Sequence, residues 1–591
     1  MGKKKRFCIN RLRFSIGSLI LSIFVVTTSC ISPKILEDQT RDLNLVEFYG
    51  SVFNSIQEPG VRISLGLSLL EFGLQADIFN LEYDLQIAFN QLKDENPTQA
   101  QKLAQFFPEL FPEFVSQPEQ VDALSISEEQ LQRGTSEPKV LWAHRVLDAH
   151  SKGSVDLGNL TDQSLSEELE TLSEEVQNLD LRQLLGLKAS RFDPSQAVQA
   201  VVTVLVDQGV EVTGGIGRPI LSVGSGLFID PEGYILTNYH VIESEVDPTY
   251  EGVSKLTVRL FTTEGRALAQ RVPARVVGYD EVLDIAMLKV EVTPRSVVSL
   301  SNIETLVPGT EVFALGSPGG LENTLTRGII SALGRRFLQL GEVYQVDIPL
   351  NPGNSGGPVF DSQGRVLGIV FAGIQQFDGV NFIIPSTQIY QVLPKLFEGG
   401  QVRHNWIGAS VHETSRGLEI SFIDPNGPLG TSVLRIGDLV RSIDGFRFTN
   451  IPQVHTYLGK LNSDELVILE VEREGNRYRV PIVLGERPVL PLQRVLGPVL
   501  ASRWLSPLFG IGVDRLENRN GRPSFQITRV YPGSIAHDSG LTEYDSFALD
   551  RWIYDEEQQV AAIQILVQRR SMGLVPEALQ IATYIALTSF I

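Results

Sequence analysis

From Ala197 to about Pro385 the chain runs in short β-branched and apolar stretches broken by Gly, Asp and Pro, beginning with Val201-Val202-Thr203-Val204-Leu205-Val206. No helical pattern alternates with these stretches, so a parallel α/β sheet, whose strands need helical crossovers, is excluded. The texture predicts all-β barrels over this third of the chain. Glycines (52) and prolines (31) are spread along the sequence, as turns in β structure would spread them. With 591 residues, the chain has room for three to five domains of roughly 100–200 residues each.

The flanks read differently. Between Val61 and Leu92 apolar residues recur at three- and four-residue steps, and Leu165, Leu169, Leu172, Val176 and Leu179 keep one stripe on a helix. Residues 31–195 are therefore expected to be mainly helical, packed on neighbours. After about Gly400 the β pattern returns, broken by one short helical stretch in each of two segments.

The first 29 residues hold six basic residues and no acidic ones. Residues 14–29, FSIGSLILSIFVVTTS, are uncharged and apolar or small, and Cys30 follows. This is the layout of a secretory signal. A Cys directly after Thr28-Ser29 resembles a bacterial lipoprotein signal, which implies lipidation at Cys30; Thr27 departs from the Leu-like residue usual there. The alternative is an uncleaved membrane anchor. Either way the rest of the chain lies outside the cytoplasm.

Without that leader the chain carries 44 basic against 70 acidic residues, a charge of -26, which argues against a nucleic-acid partner. The two cysteines, Cys8 and Cys30, both fall in the leader, so neither a disulfide nor a cysteine metal cluster is expected in the folded part. The sequence has neither HExxH nor clustered His and Cys, so metallohydrolase chemistry is not expected, and no metal or cofactor is called for.

Serine-based acyl transfer needs a base, an acid to orient it and backbone donors for an oxyanion. Of seven histidines only His240 lies between His150 and His404. It follows the strand-like Gly233–Thr237 and a short polar turn. NPGNSGGP (351–358) offers Ser355 among glycines that free the backbone to approach a substrate. There the N–H groups of Gly353 and Ser355 can point at one place. Asp284 opens the apolar run DIAMLKV, with Asp280 a nearby competitor.

GSGLFIDPEGYILTNYHV, DIAMLKV, ALGSPGGLENTLTRGIISALGR and NPGNSGGPVFDSQGRVLGIV, in that order, resemble the HtrA/Deg family of chymotrypsin-like proteases. The resemblance implies two packed six-stranded β-barrels over 196–398, with His240, Asp284 and Ser355 as a catalytic triad in the cleft. Gly353 and Ser355 would form the oxyanion hole. It also implies a homotrimer and substrates among misfolded or exported proteins. VDIPLN (346–351) has no acid at the position the resemblance gives to the base of the specificity pocket, near Pro349, which argues for a small or aliphatic residue before the cleaved bond. Residues 399–487 resemble the family's PDZ domain, with Trp406, Ile407, Gly408 and Ala409 as the loop that grips peptide C-termini. Residues 488–591 read as a degenerate second copy: GIGV (510–513) echoes WIGA, but Gly437-Asp438 becomes Tyr544-Asp545. The competing expectation is a non-proteolytic chaperone or scaffold with a vestigial protease domain.

Overall fold

The computed structural model describes residues 53, 56–72, 81–112 and 192–591, less short segments at 214–215, 262–266, 299, 301–305, 318–322, 336–340, 374–378, 463, 490, 492–500, 520, 556–559, 570–575 and 585–588. The leader with Cys30 and the stripe from Leu165 to Leu179 lie outside the described residues.

The expected helical texture upstream is present as α1 (Pro59–Glu71), α2 (Leu81–Glu95) and α3 (Pro97–Phe106). Pro stands in the first turn of α1 and α3, where its missing N–H costs nothing. These helices do not stand apart as a spacer. They pack on a β-sheet nearly 400 residues downstream, as described below.

Residues 194–200 form α4, which leads into the β region. Its first half comprises β1 (Val201–Thr213), β2 (Ile216–Asp230), β3 (Tyr234–Thr237), β4 (Lys255–Phe261), β5 (Ala267–Pro273), β6 (Arg275–Asp280) and β7 (Ile285–Lys289). The second half comprises β8 (Glu311–Gly316), β9 (Thr324–Arg335), β10 (Val343–Val346), β11 (Pro358–Asp361), β12 (Val366–Gly373) and β13 (Asn381–Pro385). The second half closes as a six-stranded barrel, as expected. The first half does not: its described strands pair as an open sheet, which β14 (Gly400–Gln401) extends to eight strands by pairing parallel to β6.

Burial follows the period of two. Ile285 and Met287 on β7 face the core between the halves, while Ala286 and Leu288 face the interior of the first half. The core between the halves joins Leu227, Leu236, Leu315, Phe360 and Ile369 with Ile389, Leu393 and Leu396 of α6 (Ser386–Glu398). The two halves are thereby fixed against each other, and whatever lies in the crevice between them is held rigidly.

Beyond a short β15 (Asn405–Trp406), two antiparallel meanders follow. The first is β16 (Ala409–Thr414), β17 (Gly417–Ile423), β18 (Leu439–Ile443), β19 (Leu466–Arg473) and β20 (Asn476–Val483), with α7 (Ile451–Gly459) between β18 and β19. β21 (Gly485–Glu486) then pairs with β15. The second meander, after α8 (Ala501–Phe509), is β22 (Ile511–Arg519), β23 (Arg522–Val530), β24 (Ser546–Asp555), β25 (Val560–Gln568) and β26 (Glu577–Tyr584).

The second meander repeats a turn of the first bond for bond. Gly437 N–H donates to Ile420 O at 2.8 Å and Ile420 N–H to Asp438 O at 2.9 Å; Tyr544 N–H donates to Ile527 O at 2.9 Å and Ile527 N–H to Asp545 O at 2.8 Å. Tyr544 even takes the left-handed φ of +75° where Gly437 takes +97°.

The N-terminal helices cover the outer strand of the first meander. Phe72 stacks on Tyr478 at 4.1 Å, and Arg479 on β20 pairs with Glu71 at 2.7 Å. Lys102 of α3 reaches Asp444 at 3.0 Å.

Candidate active site

His240 stands in the first turn of α5 (Tyr239–Val246), immediately after β3, where the sequence suggested only a polar turn. The helix fixes the ring's origin, and Asp284 fixes its direction. One Asp284 carboxylate oxygen accepts the His240 main-chain N–H at 2.8 Å, and the other accepts a hydrogen bond from the ring Nδ1–H at 2.7 Å. Both oxygens are thus engaged with one residue, 44 positions away in the chain.

Asp284 is held in turn. It precedes β7, is only 7% exposed, and adopts φ +54°, a left-handed conformation that Asp tolerates better than most residues. Its carbonyl accepts the Asn238 side-chain amide at 2.8 Å. A strained, buried residue held by its surroundings is the pattern found where geometry serves a function. Asp280, the competitor, is occupied elsewhere. It accepts the N–H groups of Val282 and Leu283, each at 3.0 Å, and meets His404 Nε2 at 2.8 Å.

The electrostatics follow from this geometry. Burial pulls the His240 pKa down. The hydrogen bond and charge of Asp284, with Glu243 behind them, outweigh burial and hold it above the ordinary 6.5. The ring is 44% exposed, so a substrate can reach it.

Ser355 lies on the loop before β11, beside this pair. Gly356 touches the chain leading to His240: a Cβ there would lie 2.5 Å from Thr237 Oγ1 and 2.2 Å from Ser225 O. With φ +82° as well, the position admits only glycine. Gly353 also turns left-handed, at φ +103°. Neither the Gly353 nor the Ser355 N–H donates to a main-chain acceptor among the described residues. Among the described residues no hydrogen bond joins the Ser355 hydroxyl to the His240 ring. Such bonds commonly tighten only around a substrate.

Sequence reasoning missed Ser225. Its hydroxyl donates to Gly353 O at 2.7 Å and accepts Ser317 N–H at 3.0 Å, while its N–H donates to Ser355 O at 2.7 Å. One β2 residue therefore holds the carbonyls on both sides of the Ser355 loop. The only signal in the sequence was its place between Gly224 and Gly226. Near Pro349, which is exposed, Asp347 accepts the Ile329 N–H at 2.6 Å. Leu350 packs against the interior of the closed barrel.

The second predicted site splits. Trp406 and Ile407 are buried in two different cores, whereas the Gly408 and Ala409 N–H groups both donate to a main-chain oxygen, that of Ile591, at 3.1 and 3.3 Å. Among the described residues no group of His, Cys, Asp and Glu could hold a metal ion.

Residues 224–369 match the trypsin-like peptidase domain family, and residues 494–585 match the TP0546 family PDZ domain. Two curated relatives bear the name "Probable periplasmic serine endoprotease DegP-like". The one from Pseudomonas fluorescens is 33% identical over 51% of this chain and 62% of its own length. The one from Pseudomonas savastanoi pv. phaseolicola is 31% identical over 55% of this chain and 66% of its own length. The chain thus spans a little under two thirds of the curated relatives it matches. A solved structure, "HtrA-type protease AlgW with decapeptide", aligns with a TM-score of 0.43 at 25% identity, covering 50% of this chain and 99% of that one. The ordered motifs, the peptidase-domain match over the same residues and the curated relatives agree in likening the chain to the HtrA/Deg family of trypsin-like serine proteases with a PDZ domain.

Proposed function

We propose that this chain is a serine endopeptidase of the bacterial cell envelope that hydrolyses peptide bonds in misfolded or exported proteins. The observation that carries the reading is the double engagement of His240 by Asp284 beside the glycine-rich Ser355 loop. In this mechanism His240 Nε2 takes the Ser355 proton as Oγ attacks the peptide carbonyl. His240 then gives that proton to the leaving amine, and water repeats the cycle on the acyl-enzyme. Asp284 holds the imidazole in the tautomer that leaves Nε2 free to accept. The N–H groups of Gly353 and Ser355 stabilise the oxyanion, each worth on the order of 10²-fold or more in rate.

Pro349 and Leu350 favour a small or aliphatic residue before the cleaved bond. Residues 399–487 act as a peptide-binding PDZ module, supported by the Gly408 and Ala409 donors and the neighbouring strand edge. Residues 488–591 act as a second, degenerate copy, in which Tyr544 stands where the first has Gly437. The basic, apolar leader ending at Cys30 supports a lipid anchor and a periplasmic or exterior location. Assembly as a trimer rests on the family resemblance. Among the described residues no helix is long and apolar enough to cross a membrane.

The test is hydrolysis of unfolded casein by the purified chain. Cleavage is expected, falling on the order of 10⁶-fold in kcat in Ser355→Ala. No cleavage by either form would support a binding protein instead.

A further inference from the structure

The strand edge and loop of the first meander are already filled. Ser589, Phe590 and Ile591 run antiparallel along β16, with Ser410 opposite Phe590. Ile591 N–H donates to Ala409 O at 2.8 Å, and Val411 N–H donates to Ser589 O at 2.9 Å. The Gly408 and Ala409 N–H groups converge on the main-chain oxygen of Ile591. From the other wall of the groove, His455 Nε2 on α7 donates to Phe590 O at 3.0 Å. Gly408 takes φ +88°, and a Cβ there would lie 2.9 Å from Pro428, so the loop that aims these donors needs its glycine.

The side chains alternate as on any added strand. Ile591, 2% exposed, enters the core of the first meander with Ile407, Ile420, Val454 and Leu458. Phe590, 1% exposed, points the other way, into the core of the second meander with Trp406, Phe422 and Trp504. Ser589 keeps its hydroxyl 3.1 Å from that of Ser410. Main-chain pairing with a buried apolar end residue is how an extended peptide adds to a sheet edge.

We infer that residues 589–591 are an in-chain ligand of the first module's peptide groove, closing it to outside peptides until the segment is displaced. This rests on the proposal that the module binds peptides. The competing ligand is an extended peptide with an aliphatic residue in the place of Ile591 and an aromatic one in the place of Phe590. Phe590 shares the core of the second meander, so displacement also loosens the contact between the two modules. A tethered ligand acts at an effective concentration on the order of millimolar. If the segment itself has an affinity of roughly 10 μM for the open groove, any outside peptide is weakened on the order of 100-fold.

The experiment uses a fluorescent peptide with the sequence of residues 584–591 and reads anisotropy against the full chain in detergent. The full chains carrying Ile591→Gly, or lacking residues 589–591, are titrated beside it. Binding to the open variants is expected on the order of 100-fold tighter than to the intact chain. Equal binding by intact and open chains would overturn the occupancy while leaving the peptide-binding module standing. Absence of binding in folded open variants would overturn the module itself, and the inference with it. A block that fades on dilution of the intact chain would assign the segment to a second copy and overturn the in-chain arrangement. Should neither variant give a cooperative melt, amide hydrogen exchange on the intact chain decides. Protection is expected at Gly408, Ala409, Val411 and Ile591, and exchange there at free-peptide rates would overturn the proposal.

Discussion

Asp284 concentrates the chemistry of the crevice in one side chain. It orients the His240 ring, holds the main chain that carries it, and raises the imidazole pKa above 6.5 against the pull of burial. In the proposed mechanism the base works in its neutral form, so kcat/KM is expected to rise with pH through a midpoint above 6.5 and then level off. Asp284→Asn removes the charge that raises the pKa. Its midpoint should move down, and kcat should fall on the order of 10⁴-fold because the ring no longer keeps the productive tautomer. A pH–rate profile of both forms measures the two effects together. Ser225 acts one step back, through the loop. Ser225→Ala strips a partner from the buried Ser317 N–H and from the Gly353 carbonyl, at a cost of about 1–3 kcal/mol in urea unfolding. His240, Asp284 and Ser355 could be singled out as candidates because each sits at the edge of a rigid element with a local signature. Ser225 was not, because its partners lie 92 and 128 residues away and nothing local marks them.

At the scale of elements, the β-branched run of β1 and the apolar run of β7 made the β-rich core readable, and the family resemblance supplied the closed second barrel. Closure of the first half did not, because whether a sheet closes depends on pairing at its edges, and β14 comes from beyond the domain's last helix. The three- and four-residue spacing between Val61 and Leu92 matches α1 and α2, but amphipathicity names no partner. The partner, β20, could be found only in three dimensions. The two meanders meet through β16, α8 and the end of β23. There His412 lies 3.8 Å from the Tyr531 ring and 3.3 Å from Ser506 O. Burial pushes the His412 pKa down to about 4, against an ordinary 6.5. Between those values the unfolded chain holds the proton and the folded chain does not, so stability is complete above about 6.5 and is lost as pH falls toward 4. Each unit of descent removes up to about 1.4 kcal/mol. Thermal melts should therefore show the wild type losing more between pH 7 and pH 4.5 than His412→Gln does.

On the scale of the whole molecule, the chain folds back on itself twice. The N-terminal helices clasp the outer strand of the first meander, and the last three residues fill its groove. Both contacts join segments far apart in the chain, 408 residues between Glu71 and Arg479 and 179 between Ser410 and Ser589. A run as short as Thr588-Ser589-Phe590-Ile591 has no pattern for sequence reasoning to read. The crevice depends on the same long-range assembly, since two halves of a β domain must bring His240, Asp284 and Ser355 together. Covalent labelling with a fluorophosphonate, mapped by mass spectrometry, tests that assembly directly, because only a serine activated by a neighbouring base reacts readily. A single adduct on Ser355, lost in His240→Ala, is the predicted result. No adduct, or one that maps elsewhere and persists in Ser355→Ala, would contradict it.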